Sequence, residues 1–173
     1  MATKLNDDFM RSIVNDEAWK SLAGNFKWTE ALLEKYQNDV NWDEISENTN
    51  IQWTIPMLQK FSNRINWSKF SEYANEDTLT PMVIEIFKDR WDWHELSHNH
   101  DLKLTDDFLM KYAESLDWEH IIGRWREDVF EGRGMDFFEK FKEYIPAAKL
   151  QDSALWEEII AQRKQELIKE IIS

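Results

Sequence analysis

The chain has no cysteine among its 173 residues. A disulfide framework, thiol catalysis and a cysteine zinc site are thereby excluded, and a reducing compartment is suited. Glycine is scarce at four and proline at three. That shortage fits a mostly helical chain, because these two residues punctuate turns and break helices. No stretch approaches the ~18 consecutive apolar residues of a membrane span. Met1-Ala2-Thr3-Lys4 leads into no apolar run of the secretory kind. Positive charge is outnumbered, with 21 Lys and Arg against 34 Asp and Glu, for a net charge of −13. That balance argues against general binding to nucleic acid or to an anionic membrane. It accommodates a basic protein partner or mimicry of a nucleic acid, and equally a surface acidic for solubility alone. A soluble cytoplasmic protein is expected.

What the chain does have is tryptophan, ten residues of it, together with ten Phe. Trp19, Trp42, Trp67, Trp93 and Trp118 recur at intervals of 23 to 26 residues, and Thr29, Thr54, Thr80 and Thr105 keep the same beat. A fixed period marks a repeat architecture. Asn41, Asn66, Asp92 and Asp117 each precede a tryptophan, and Asn and Asp are strong N-caps, so each Trp opens a helix. Glu44 and Glu95 stand at the third position after their caps, the spacing of a capping box. Asn48 and Asn99 tolerate the left-handed conformation and are expected to stop these short helices.

The threonines are expected to cap a second, longer helix, with Pro81 at its first position, where a missing N–H costs nothing. An apolar residue stands before each cap (Trp28, Trp53, Leu79, Leu104) and another five positions later (Leu33, Leu58, Ile84, Leu109). This is the pattern of a hydrophobic staple. The buried face then repeats as Leu32, Leu33, Tyr36 and Val40; as Met57, Leu58, Phe61 and Ile65; and in the corresponding later sets. Each set is one stripe of a 3.6-residue period. The next Trp falls just beyond each stripe and is expected at the junction between units.

These residues predict an all-α fold, a stack of helix–loop–helix repeats of about 25 residues in an α-solenoid-like array. It is read as one domain, 1–173, with a half repeat at 5–18 capped by Asn6. Repeats follow at 19–41, 42–66, 67–92 and 93–117, then an irregular repeat at 118–146 and a C-terminal capping helix at 153–172. Pro146 is expected to end the helix before the cap, whose Trp156, Ile159, Ile160, Ile168 and Ile171 share one side. The unit Trp42-Asp43-Glu44-Ile45-Ser46-Glu47-Asn48, followed by Trp53-Thr54 and Leu58-Gln59-Lys60-Phe61, resembles the short tryptophan-anchored helical repeats of bacterial and some viral proteins, of the type W-x-x-L-S-x-N … W-T-x-x-L-L-x-K-Y. The resemblance runs from Leu5 to Trp118; it implies the fold and brings no activity with it.

Two segments are candidates for function. His94-Glu95-Leu96-Ser97-His98 fits H-E-x-x-H, in which two His one turn apart hold zinc and the Glu acts as general base. His120, one unit after Glu95, is a further candidate ligand. Register gives a plainer account: Glu95, Leu96 and Ser97 stand where Glu44, Ile45 and Ser46 stand, and His94 and His98 fall at variable outward positions. The second segment, Gly123 to Gly134, holds three of the four glycines and three arginines. Arg124, Trp125, Arg126 and Phe130 are candidate partner-binding residues, since Arg and Trp favour interfaces and insertions in repeats become binding loops. The alternative is that Trp125 and Phe130 fill the core of a degenerate repeat. Gly132-Arg133-Gly134 is also a weak candidate anion cradle. No catalytic residue and no cofactor is assigned. The expected function is non-enzymatic binding of another protein, a basic or nucleic-acid-binding one, in an immunity-like, inhibitor-like or scaffold role. The alternative is a metal-dependent hydrolase centred on the histidine segment.

Overall fold

The computed structural model describes residues 7–124 and 129–172. Among the described residues all regular structure is helical, in twelve helices. The chain divides into two compact units, Met1–Leu102 and Lys103–Ser173.

The first unit contains α1 (Asp7–Asn25), α2 (Glu30–Tyr36), α3 (Trp42–Glu47), α4 (Ile55–Phe61), α5 (Trp67–Tyr73), α6 (Pro81–Ile86) and α7 (Trp93–His98). Helices α1, α3, α5 and α7 pack in succession. The caps fall where the residue types demand. Thr29, Thr54 and Thr80 accept from the backbone N–H three residues on, and Asn41, Asn66 and Asp92 do the same at the tryptophan helices. Pro81 opens α6. Leu33, Leu58 and Ile84 are buried behind the caps, as staple residues should be.

Three local expectations are corrected. The threonine-capped helices are of nearly the same length as the tryptophan helices: α2, α4 and α6 have 7, 7 and 6 residues, against 6, 7 and 6 in α3, α5 and α7. The indole N–H groups of Trp42, Trp67 and Trp93 donate to the carbonyls of Gln37, Ser62 and Lys88, at or just past the end of each threonine-capped helix. The last stripe residues, Val40, Ile65 and Trp91, therefore sit buried in the following turn. Second, Asn48 and Asn99 are extended rather than left-handed, with φ of −75° and −67°. Third, the half repeat and the Trp19 helix are one continuous helix, α1. Trp19 follows Glu17-Ala18, which supplies no cap, and no Gly or Pro interrupts residues 7–23.

Asn48 and Asn99 join neighbouring repeats through their side chains. The buried Nδ2 of Asn48 donates to the carbonyls of Ala23 and Phe26, and that of Asn99 to those of Ser71 and Ala74. The acceptors lie at or near the ends of α1 and α5, one repeat earlier. Helix ends leave carbonyls without intrahelical partners, and these amides satisfy them where water is excluded. Ser46 and Ser71 complete the junctions: each hydroxyl donates to the Trp carbonyl of its own helix and accepts the backbone N–H of Asn66 or Asp92 in the next unit. The tryptophan rings pack within their own repeats, Trp42 on Phe61 and Trp67 on Phe70, Phe87 and Trp91, while their indole N–H groups reach the preceding one.

The second unit contains α8 (Asp106–Tyr112), α9 (Trp118–Gly123), α10 (Gly134–Phe141), α11 (Ala147–Leu150) and α12 (Ala154–Ile172). Thr105 and Asp117 cap α8 and α9 as their counterparts do in the first unit. Trp118 stacks on Tyr144 and packs against Phe137 and Phe141. Pro146 precedes a short extra helix, α11, which the sequence reading did not include. Helix α12 starts where expected and packs on α9 and α10. Only Ala154, Leu155 and Ile159 of it are buried, whereas Ile168 and Ile171 are exposed.

Candidate functional site

On α7, Leu96 and Ser97 are buried, which leaves His94 exposed and His98 and Glu95 half-buried. One helical turn brings the two imidazoles together, with ring centroids 4.5 Å apart. Glu95 donates its backbone N–H to the capping Asp92. The three motif residues therefore project from a helix of only 6 residues. His120 lies on α9 in the second unit, half-buried, with its backbone N–H on Asp117.

Of the partner-binding candidates, Trp125 and Arg126 lie outside the described residues. Arg124 is the C-cap of α9 and is buried. Phe130 is buried too, edge-to-face on Phe137 with centroids 5.5 Å apart. For Phe130, then, the structure adopts the core alternative. An aromatic ring closed inside the unit cannot insert into a partner pocket as an interface anchor does.

Two glycines of this segment, Gly132 and Gly134, have local structural duties. Gly132 holds φ at 70°, a left-handed turn that favours glycine. A Cβ on Gly134 would sit 2.9 Å from the backbone nitrogen of Ile159, so glycine lets α10 approach α12. The cradle's Gly132 N–H is taken by an anion of the chain itself, the Glu158 carboxylate, at 2.9 Å. Arg133 is likewise engaged. Its guanidinium donates to both oxygens of Asp106, at 3.0 and 2.7 Å, and to the Val129 carbonyl. Lys140 adds a 2.6 Å contact to Asp106. These hydrogen bonds, Arg133's above all, pull the Asp106 carboxyl down to about 2 against the opposing effect of partial burial.

The sequence reading missed this cluster and the asparagine junctions. Their signal is a side-chain pair one repeat apart. Arg64 on Asn38, Arg90 on Asn63 and Arg133 on Asp106 are separated by 26, 27 and 27 residues. Lys69 with Glu47 and Lys60 with Glu30 are further examples. The ionic contacts are surface ladders between adjacent repeats and bring together no nucleophile, base and oxyanion donor.

An open cleft of about 430 Å³ in the second unit is lined by Arg124, Phe130, Ala154 and the carboxylates of Glu131, Glu157 and Glu158. Its acid groups suit a basic side chain better than an anion. Among the described residues no helix is long and apolar enough to cross a membrane. No protein-family model, curated protein or solved structure matches this chain. The resemblance to tryptophan-anchored repeats accordingly rests on the repeat residues themselves.

Proposed function

We propose that this protein is a non-enzymatic binding scaffold whose acidic surface receives a basic protein partner. One observation carries the reading. The buried polar side chains Asn48, Asn99, Ser46 and Ser71 are engaged in joining repeats, whereas most of the carboxylates lie outward on a chain of net charge −13. A surface of one sign steers an oppositely charged protein into encounter and repels wrong partners. The cleft bordered by Glu131, Glu157 and Glu158, with Arg124 also in its wall, supports the reading by offering carboxylates to a Lys or Arg of the partner. An immunity-like or inhibitor-like protein that occludes a nucleic-acid-binding partner has these properties, and so does a scaffold that gathers basic proteins.

Affinity purification from the native host, followed by titration of the captured protein at rising salt, tests the reading. The captured protein should be basic, and its affinity should fall steadily as salt screens the acidic surface. Binding indifferent to salt, or capture of acidic proteins alone, would overturn it. The alternative of a metal-dependent hydrolase has in its favour the paired imidazoles of His94 and His98. Against it stands the helix of only 6 residues that carries them, with His94 exposed, since catalytic zinc sits in a dry, shaped cleft.

A further inference from the structure

His94 and His98 stand four residues apart on α7, in the first unit. Side chains at that spacing are neighbours on one face of a helix. The two ring centroids are 4.5 Å apart, and a nitrogen of one ring lies within 4.8 Å of a nitrogen of the other. His94 is exposed and His98 half-buried, so an ion in solvent has access to the pair. The turn that carries them is held at both ends. Asp92 accepts the Glu95 N–H at its start, the Ser97 hydroxyl donates to the Trp93 carbonyl, and the Asn99 amide just past its end donates to the carbonyls of Ser71 and Ala74. Leu96 and Ser97 anchor the opposite face in the core. A free peptide of 6 residues would not keep a helical turn in water. This turn is kept by its neighbours, so the spacing of the imidazoles is set before anything binds.

We propose that His94 and His98 together bind one divalent transition-metal ion, copper(II) in preference to nickel(II) or zinc(II). An ion bonded to a nitrogen of each ring at ~2.0–2.1 Å needs those nitrogens ~3 Å apart. Rotation about the side-chain bonds of the exposed His94 closes the pair without moving the backbone. Imidazole suits copper, nickel and zinc, whereas calcium and magnesium take oxygen ligands and copper(I) favours sulfur. Among the three, copper(II) binds tightest to a nitrogen site. A net charge of −13 raises the concentration of any cation near the surface. The repeat itself does not call for imidazole here. Asp43, Ser68 and Glu119 occupy the register of His94, and Glu47, Glu72 and Gly123 that of His98. The fold thus accepts several residue types at both positions, and only this repeat fills both with histidine. Two imidazoles hold an ion less firmly than the three or four protein ligands of catalytic and structural zinc sites. The ion is therefore lost on purification and returns when supplied. The site binds and does not hydrolyse, and it stands independently of the basic-partner reading.

The test is calorimetric titration of untagged full-length protein with copper(II), nickel(II) and zinc(II) chlorides in a non-chelating buffer. The wild type should take up one copper ion per chain, with nickel and zinc weaker. Neither ring belongs to the buried core, so His94→Gln, His98→Gln and the chain carrying both should keep the wild-type helical spectrum. Each single variant should bind copper about tenfold more weakly or worse, because either loss ends the chelate. His100→Gln, at an exposed histidine just beyond the helix, should leave binding unchanged. Electron paramagnetic resonance of the copper complex should show coupling to nitrogen that the double variant lacks. An absence of saturable copper binding would overturn the proposal. So would undiminished binding in the double variant, loss of copper from His100→Gln, or single variants that keep wild-type affinity with one ring's share of the uptake, the mark of two independent imidazoles. All these variants keep the acidic surface, so a loss of metal is separable from a loss of partner binding.

Discussion

Asn99 reaches back across a full repeat and places its amide between two carbonyls of the preceding unit, 2.9 Å from that of Ser71 and 2.8 Å from that of Ala74. Asn99→Ala removes both bonds and leaves two buried carbonyls without these donors. It should cost about 2–4 kcal/mol, since a buried polar group left unsatisfied costs roughly 1–3 kcal/mol. Asn99→Asp keeps the shape but turns a donor into an acceptor, and should cost at least as much at neutral pH. Urea unfolding of the two variants measures this. An Asn99→Ala chain as stable as the wild type would show that the junction does not depend on the amide.

Trp67, half-buried, packs against Phe70, Phe87 and Trp91 and donates its indole N–H to the Ser62 carbonyl. Trp67→Ala should destabilise by about 3–5 kcal/mol through the cavity it opens. Trp67→Phe keeps most of the packing, loses the hydrogen bond, and should cost markedly less. Equal losses in denaturant unfolding would mean that the hydrogen bond outweighs the ring.

The Asp106 cluster makes stability depend on acid. Its carboxyl falls from 3.8 to about 2 on folding, so its contribution is complete above the unfolded value and fades as pH drops toward the folded one. Asp106→Asn should lower stability at pH 7 by about 1 kcal/mol, less than the full linkage value because the group is partly solvated. The gap between variant and wild type should close between about pH 4 and pH 2. Unfolding curves at several pH values check it, and a gap that persists at pH 2 would assign the loss to packing instead.

Gly134→Ala would drive a methyl to 2.9 Å from the Ile159 backbone nitrogen. Overpacking of this kind costs about 1–3 kcal/mol, even though alanine is the better helix former. An increase in melting temperature would mean that α10 and α12 separate easily.

The histidine pair on α7 offers a separate test. Purified protein should carry substoichiometric zinc and show no chelator-sensitive hydrolysis, because repeat register already accounts for Glu95, Leu96 and Ser97. Stoichiometric zinc lost in a His94→Ala, His98→Ala chain, with hydrolysis abolished by Glu95→Gln, would reverse that expectation.

The capping layer was legible in the sequence because it is local. Thr54 and its acceptor N–H on Met57 lie within one turn, and Asn66 precedes the tryptophan it caps. The tryptophan positions were legible because the period repeats them, though their rings pack within the repeat and only the indole N–H crosses to the one before. What escaped depends on residues a whole repeat apart. Asn48 was read as a left-handed stop from its own preferences, whereas its role is fixed by carbonyls 22 and 25 residues earlier. Arg133 was read as part of an anion cradle, and its actual acceptor, Asp106, lies 27 residues back. Phe130 matched nothing in the repeat register, and only its contact with Phe137 shows that it closes the core. The continuity of α1 was present as an absence: no cap residue precedes Trp19.

The asparagine junctions also set a direction. Every one described in the first unit runs backward: Asn48 to Ala23, Asn50 to Asn25, Asn75 to Thr49, Asn99 to Ser71. A repeat emerging from the ribosome therefore stays provisional until about 25 more residues have followed it, and each newcomer seals its predecessor. Because the sealing contacts are so close in sequence, closing them costs little loop entropy and the stack can zip as fast as it is made. Losing one whole repeat would leave later newcomers a predecessor to seal, whereas a cut through the middle of one would strand the repeat before it.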